Sequence, residues 1–479
     1  MDIDSGAGLL HRLTTYQPDR EWDVPVDDPR VRHDLTPNDL ATLPPPYKTY
    51  AAGLPTVTLP RELPDPGVAA TDVLSGAAAP ATALDAAGLG RILFLGAGVV
   101  RTAERNGRRS VFRASGSAGA RFPLEVYVSA KGVAGVPEGV HWYDPMAHAL
   151  VQVAPEAAGD ATTLVVTGVP WRTGWRYAER GFRHIYWDAG TLLAQLEATS
   201  AAAGLDPRLR TLFPDGPVGE LVGADGTHEF PVALLTFGDG VPAVTPAGKA
   251  TAGELPPVEF PLVTAAQRAG DRNVLGAAWP VGDPVPAARP GGQSLDAVIR
   301  RRGSQRRMDR TKTVPRADLE WAMAAATRGI DVPHWVVAHG VDGLAAGLYR
   351  WPDLGAPVTA GDLRAALERV CLGQSLAAEA AYVVIAATPG DGLNDRSYRE
   401  AQLASGIVEG RLHLAAYATG ATATGMTFLD SEVPALLHEP DSLVTLLFTC
   451  VGIGEYQSRP GGAPGDPVPV RTVMPRFVD

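Results

Sequence analysis

Two blocks of this sequence recur in the same order in its two halves, and that repeat limits the folds open to the chain more than any other feature. The first block is Gly135-Val-Pro-Glu-Gly139-Val-His-Trp-Tyr143, matched by Gly343-Leu-Ala-Ala-Gly347-Leu-Tyr-Arg-Trp351, and an apolar, strand-like run precedes each. The second is Arg180-Gly-Phe182-Arg183 with Gly190 and Gly204, matched by Arg396-Ser-Tyr398-Arg399 with Gly406 and Gly420. In both copies the first glycine follows the arginine by 10 residues (190 − 180 and 406 − 396) and the second follows after 14 more (204 − 190 and 420 − 406). Two ordered matches with equal internal spacing imply one domain duplicated within the chain.

Length agrees, since 479 residues exceed one ordinary core. The balance of 45% hydrophobic and 20% charged residues is that of a globular protein. No apolar run approaches the roughly 18 residues of a membrane span. The acidic N-terminus, MDIDSGAGLLHRLTTYQPDREWD, has no secretory h-region, so a soluble, cytoplasmic chain is expected. The net charge of −11 argues against non-specific binding to nucleic acid or anionic membranes, while leaving room for a local basic pocket. The two cysteines, Cys371 and Cys450, read as small buried hydrophobes. The ten histidines show no metal-ligand spacing, so no metal is expected. Gly96-Ala-Gly98 imitates a dinucleotide fingerprint but has Arg101 at the third glycine position and no clear βαβ context. Gly116-Ser-Ala-Gly lacks the full pattern of a nucleophile elbow.

Residues 1–66 are rich in proline and turn residues and read as an extended arm laid over a domain. Residues 67–238 form the first domain, with a helical pattern in LDAAGLGRILFLGAGVVR, a strand from Leu124, a helix from Gly190 stopped by Gly204, and a strand in FPVALLTFG. Residues 239–292 are dominated by Pro, Ala and Gly and read as a linker. Residues 293–479 form the second domain. Ser294 caps the helix SLDAVIRRR, Pro315 opens the next, and HWVVAHGV and SLVTLLFTCVGIG read as strands. An extended, basic tail follows.

On these segments the chain resembles a known family. Through most of residues 9–238 it is similar to SagB-type azoline dehydrogenases of the nitroreductase superfamily, by LPPPYKTY, VTLPRELP, FRASGSAGARFPLEVYV, GVPEGVHWYDPMAHAL and PWRTGWRYAERGFRHIYWDAG. The second half resembles a nitroreductase domain through RRRGSQRRMD, GLAAGLYRW and ATGMTFLDSEVPALL. The resemblance implies an α+β fold: two tandem nitroreductase-like domains, each a mainly antiparallel sheet flanked by helices, joined by long helices as an intramolecular pseudo-dimer. It also implies FMN at the interface, with an Arg-x-Ser-x-Arg segment from one subunit and a Pro-Ser-Ala-Gly-type loop from the other. Here those parts are divided unequally. The second half has Arg302-Gly-Ser304-Gln-Arg306, whereas the equivalent VAATDVLSGAAAPA has no arginine. The first half has Gly116-Ser117-Ala118-Gly119, whereas TRGIDVP runs straight into its strand. One complete site results, so one FMN per chain is expected, with the opposite face an empty relic.

Each residue of that site has a chemical reason. Arg302 and Arg306 flank Ser304 and can bind a phosphate bidentately with a hydroxyl beside them. Gly116, Ser117, Ala118 and Gly119 are small enough to bring backbone against a flat ring. Gly425, Met426 and Thr427 fall where the family runs backbone along the flavin's far side. Arg471 or Arg459 of the tail offers a further phosphate contact, the tail crossing onto the other half as in related dimers. Arg176 and Tyr177 stand where azoline dehydrogenases carry Lys-Tyr. Arginine cannot serve as a base, so Arg176 is expected to lower the phenol pKa and make Tyr177 the base.

The implied reaction is oxidation of thiazoline or oxazoline rings in a modified precursor peptide, the azoline being made by a cyclodehydratase. Reduction or oxidation of another substrate is the alternative: an ene, a dehydroamino acid or a carrier-bound thiazoline. A flavin-free scaffold or peptide-binding subunit is a further one. Oligomerisation beyond the pseudo-dimer stays open.

Overall fold

The computed structural model describes residues 1–2, 4–18, 38–105, 107–287 and 291–477. The first half contributes β1 (Thr56–Thr58), β2 (Val99–Arg105), β3 (Arg108–Arg113), β4 (Leu124–Ala130), β5 (Gly139–Asp144), β6 (Ala149–Ala154), β7 (Thr163–Gly168), β8 (Pro207–Arg210) and β9 (Phe230–Phe237). The second contributes β10 (Val314–Pro315), β11 (His334–Ala338), β12 (Val341–Asp342), β13 (Gly347–Arg350), β14 (Thr359–Ala360), β15 (Tyr382–Pro389), β16 (Thr422–Met426) and β17 (Leu443–Gly452), with β18 (Val468–Pro469) in the tail. One antiparallel sheet runs β1-β6-β5-β4-β7-β9-β8 and the other β14-β13-β11-β15-β17-β16. The order β5-β4-β7-β9-β8 thus repeats as β13-β11-β15-β17-β16, the same domain twice. The first sequence block recurs because its backbone requires glycine. Gly135 and Gly343 take φ of 82° and 75°, and Gly139 and Gly347 take 149° and 157°, where a side chain is strained.

The second block builds the pseudo-dimer. It lies on two long helices, Gly181–Ala202 and Asp395–Thr419. They cross at the paired glycines: a Cβ on Gly190 would collide with the backbone of Gly406 and Ile407, and one on Gly406 would lie 2.8 Å from the Trp187 Cα. Phe182 and Tyr398, equivalent in the repeat, stack across the crossing at 6.5 Å and 12°. Arg180 and Arg183 donate to Asp430 of the other half at 2.7 and 2.6 Å. Reciprocally, Arg396 and Arg399 reach Asp215 at 2.7 and 3.3 Å. All six side chains are buried, so each carboxylate depends on its arginines. Ala69 and Ser294, which precede equivalent short helices, also bridge one another. The core is continuous across the halves, with Tyr398, Leu403 and Ile407 in one cluster with Phe182, Ile185 and Leu192.

Three expectations change. The central helix begins at Gly181, nine residues before Gly190, because buried Arg183, His184 and Asp188 interrupt the apolar pattern. The arm is not wholly extended: it holds the helix Gly6–Leu13, whose start meets the helix Pro261–Ala269, an ordered element inside the linker. The arm residues 19–37 lie outside the described residues. The tail does cross: β18 pairs parallel with β2, Val468 opposite Arg101. Both cysteines are buried, and no helix of the described residues is long and apolar enough to cross a membrane.

Candidate functional site

The helix Leu295–Arg301, capped by the Ser294 hydroxyl on the Ala297 N–H at 3.3 Å, stops at Arg302 in extended backbone. The next residues run beside β16. Ser304 bridges Ala423, and the Gln305 N–H donates to the Ala423 carbonyl at 3.2 Å. The Tyr417 hydroxyl holds the Gly303 carbonyl at 2.9 Å, and the Arg306 N–H donates to the Tyr456 hydroxyl at 3.1 Å. Arg306 itself is exposed. Arg302 turns into the first half, donating from Nε and Nη2 to the Ala114 carbonyl at 3.1 and 2.7 Å. Its Nη1 is buried with no hydrogen-bond partner among the described residues. Burial, and then Arg101, push the guanidinium down to about 10, the signature of a desolvated cation that an anion would relieve.

The loop Gly116–Gly119 precedes β4. The Ser117 hydroxyl and the Ala118 N–H donate to the two carboxyl oxygens of Asp188 at 2.6 and 2.9 Å, and the Phe122 N–H donates back to Ser117 Oγ at 2.7 Å. Gly119, Ala120 and Phe122 all have positive φ, of 57°, 54° and 49°. Two of the three are not glycine, so the loop is strained, and Asp188 pins it. A Cβ on Gly116 would lie 3.7 Å from Arg302 Nη1, and one on Gly119 would lie 2.7 Å from Tyr177 Oη and 2.8 Å from Arg176 Cδ. The loop therefore lies beside the second half's Arg302 at one end and beside Arg176 and Tyr177 at the other. A small hollow beside it is lined by Arg113, Ser115, Gly116, Ser117, Phe122 and Asp188, among others.

Tyr177 ends the helix Pro170–Tyr177, followed by Ala178 at φ 47° and ψ −139°. Its ring stacks on His184 at 4.0 Å and 13°, and the exposed Arg176 guanidinium stands 5.7 Å from its centre. The electrostatic expectation for this pair is corrected. Arg176 does pull the phenol pKa down, but burial raises it by more, so Tyr177 holds its proton above the usual phenol range. Burial and then Arg180 push His184 well below its ordinary value. It is a neutral imidazole whose two nitrogens are buried without hydrogen-bond partners among the described residues.

Gly425 and Met426 end β16, which lies at the edge of its sheet. A side chain on Gly425 would collide with the Glu409 carboxylate, and the Thr427 hydroxyl is buried without a hydrogen-bond partner among the described residues. Gly425 and Thr427 thus share an edge with Ser304, through β16. Arg471 is exposed just after β18, and no hydrogen bond among the described residues joins it to Arg302. Arg459 donates to the Pro469 carbonyl at 3.2 Å. The basic group that does bear on Arg302 is buried Arg101 of β2, which donates to the carbonyls of Arg459 and Arg300 at 2.8 and 2.6 Å. Reading Arg101 only as a mismatch to a glycine pattern hid it. Asp188 was also missed, although an acid inside the aromatic run HIYWDAG is the signal that could have found it. Burial raises its carboxyl to about 8 even though Ser117 and Ala118 pull it down. The opposite cleft is not the empty relic expected, because linker residues Gly276 to Gly282 lie in it.

No family model matches the sequence. A provisionally named nitroreductase of Methanocaldococcus jannaschii is 30% identical over 165 residues, which span 31% of this chain and 78% of that protein. The chain belongs to the nitroreductase family of oxidoreductases. The crystal structure of a provisionally named nitroreductase from Anabaena variabilis matches with a TM-score of 0.73 at 21% identity, over 94% of this chain and 100% of that one. The two-domain pseudo-dimer is therefore a fold shared along nearly the whole chain.

Proposed function

We propose that this chain binds one FMN in the cleft between Arg302 and the Gly116–Gly119 loop, and uses it to dehydrogenate peptide thiazoline or oxazoline rings to azoles. The observation that carries the reading is the loop itself, which lies beside a buried cation from the other half at one end and beside Tyr177 at the other. The residues fit the cofactor. Arg302 Nη1 has a hydrogen bond to give a phosphate, and Ser304 and Arg306 continue the same segment. The small loop offers backbone to one side of a flat ring, and Gly425 to Thr427 offer it from the β16 edge. The bound flavin would supply the two-electron chemistry, taking the hydride from the azoline ring. The protein's part is to position the ring and to handle the proton at Tyr177 Oη. Arg101 and Arg302 add the positive field for the phosphate, and Asp188 holds the loop at its strained φ.

In this reading the substrate is a modified precursor peptide or a carrier-bound chain, and a cyclodehydratase supplies the azoline. Arg176 stands beside Tyr177 at the exposed face, where a peptide would enter. Tyr177's retained proton favours a second reading. A phenol that stays protonated enters the reaction with a proton to give, which would suit reduction of an ene or dehydroamino acid, with hydride and proton added to the two carbons. Turnover separates the two. Incubating the purified protein with an azoline peptide under air, without NAD(P)H, should give an azole product lighter by two hydrogens. NAD(P)H-dependent reduction of an alkene, with no azole formed, would replace the first reading by the second.

A further inference from the structure

The two clefts can be compared residue by residue, because the central helices and the strands after them share one offset. Thr427 corresponds to Thr211 (427 − 211 = 216), Gly425 to Leu209 (425 − 209 = 216) and His184 to Glu400 (400 − 184 = 216). In the first cleft, Thr427 Oγ1 and both His184 nitrogens are buried without hydrogen-bond partners among the described residues. In the second, every counterpart is engaged, Thr211 and Leu209 by the linker and Glu400 by Thr211. The Trp279 indole N–H donates to Thr211 Oγ1 at 2.7 Å, and that hydroxyl donates to Glu400 Oε1 at 2.7 Å. The Trp279 backbone N–H donates to the Leu209 carbonyl at 2.7 Å, and Gly276 donates to Leu212 at 2.9 Å. On the far side, the linker presses on Arg328 and Gly329, which follow the helix Arg316–Thr327. A Cβ on Gly329 would lie 2.9 Å from the Val281 carbonyl carbon, and Arg328 Nη1 donates to the Val281 and Gly282 carbonyls at 3.1 and 3.4 Å. The linker thus fills the space between a β8 edge and a post-helix turn. Those are the counterparts of the β16 edge and the Gly116–Gly119 loop.

We propose that Trp279 is an internal ligand of the second cleft. Its indole takes the place that the flavin ring takes in the first, and it masks a binding site for a planar aromatic heterocycle with an N–H to give Thr211. The inference rests on the reading that FMN lies along Gly425 to Thr427. The linker then does more than join two domains: it closes the cleft that lost its phosphate arginine and its loop, and makes a two-site architecture into a one-site enzyme. The ring, the backbone pairing and the Arg328 contacts also fasten the halves together on the side away from the working site.

The test is Trp279→Gly in the full-length chain, with FMN content, Tm and calorimetric titration of indole. The variant should keep the wild-type FMN content and lose stability. It should bind one indole per chain at least about tenfold more tightly than the wild type, as an engineered cavity takes up the ring it lost, with part of the Tm restored. A folded variant that binds no indole, or one that loses FMN, would overturn the proposal. Should the glycine variant not fold, Trp279→Phe keeps a ring without the N–H: unchanged FMN with a lowered Tm supports the internal ligand, and reduced FMN refutes it. A wild type that binds no FMN would refute the reading of the first cleft, while the indole titration would still report on the second.

Discussion

The two clefts of this molecule descend from one design and solve opposite problems. The first is built to leave polar groups wanting: Arg302 Nη1, Thr427 Oγ1 and His184 are buried with nothing among the described residues to satisfy them. The second has the same floor and edge strand, but Trp279 and Glu400 satisfy Thr211, and backbone carbonyls of the linker engage Arg328 Nη1, leaving only its Nε buried without a partner among the described residues. Unsatisfied buried donors are costly in any protein, so they persist where a ligand repays them. Under the proposed function, the first cleft is therefore the one that works. In the same reading the duplicated chain has retired its other site, and the linker between the halves became the contents of that cleft.

The comparison can be broken at several points. The largest effect is expected at the reciprocal clamps between the halves. Asp430→Asn leaves Arg180 and Arg183 buried without their carboxylate and should cost about 3–5 kcal/mol in a chemical denaturation experiment. Asp215→Asn should cost a similar amount if the halves are energetically alike. Asp430 also has a pH signature. Burial opposes its ionisation, but Arg180 and Arg183 outweigh burial and hold it at about 2, below its ordinary 3.8. A depressed pKa means stabilisation that is present above the ordinary value and lost as pH falls from about 4 towards 2, a loss of roughly 2 kcal/mol. Acid titration of Tm checks it, and Asp430→Asn should flatten that slope.

Next in size is Tyr177→Phe. It should lower kcat by about a hundredfold or more while leaving FMN bound, because it removes a proton-handling group and no phosphate contact. Its pH profile is informative, since a phenol held above its usual range gives a rate that rises with pH if Tyr177 is the base and falls if it is the acid. Arg302→Ala should weaken FMN by about tenfold to a hundredfold, the worth of a charged hydrogen bond at 1.5–3 kcal/mol. Arg328→Ala, in the plugged cleft, should leave the FMN Kd unchanged in a fluorescence titration. Smallest is Gly119→Ala. The left-handed φ and the closeness of Tyr177 Oη should cost about 1–2 kcal/mol of stability and displace the phenol. The mark of that effect is a lowered kcat with FMN retained.

Much of this was legible before the fold was seen, for reasons that differ by residue. Gly190 and Gly406 repeat because each is where the other helix passes, and glycine spacing survives where side-chain identity does not. The Arg302 segment and the Gly116–Gly119 loop stand out because their residue types are unusual and each half lacks the other's. The clamps were not read as clamps, because Asp215 and Asp430 fall one place out of register with the repeat (215 − 180 = 35, 430 − 396 = 34). Asp188 and His184 were lost inside a helix buried on every face, where periodicity carries no signal. Tyr177's raised pKa depends on burial, which adjacency to Arg176 does not reveal. Trp279 sits in a Pro- and Gly-rich stretch whose composition marks it as a connection and says nothing of what it touches.

One measurement addresses the central claim directly. The purified chain, stripped and reloaded with excess FMN and freed of unbound flavin, is assayed for flavin per polypeptide, with the bound flavin located crystallographically. The account predicts one FMN per chain, against Arg302 and the Gly116–Gly119 loop, with Trp279 still hydrogen-bonded to Thr211. Two FMN per chain, or a flavin beside Leu209 with Trp279 displaced, would contradict it.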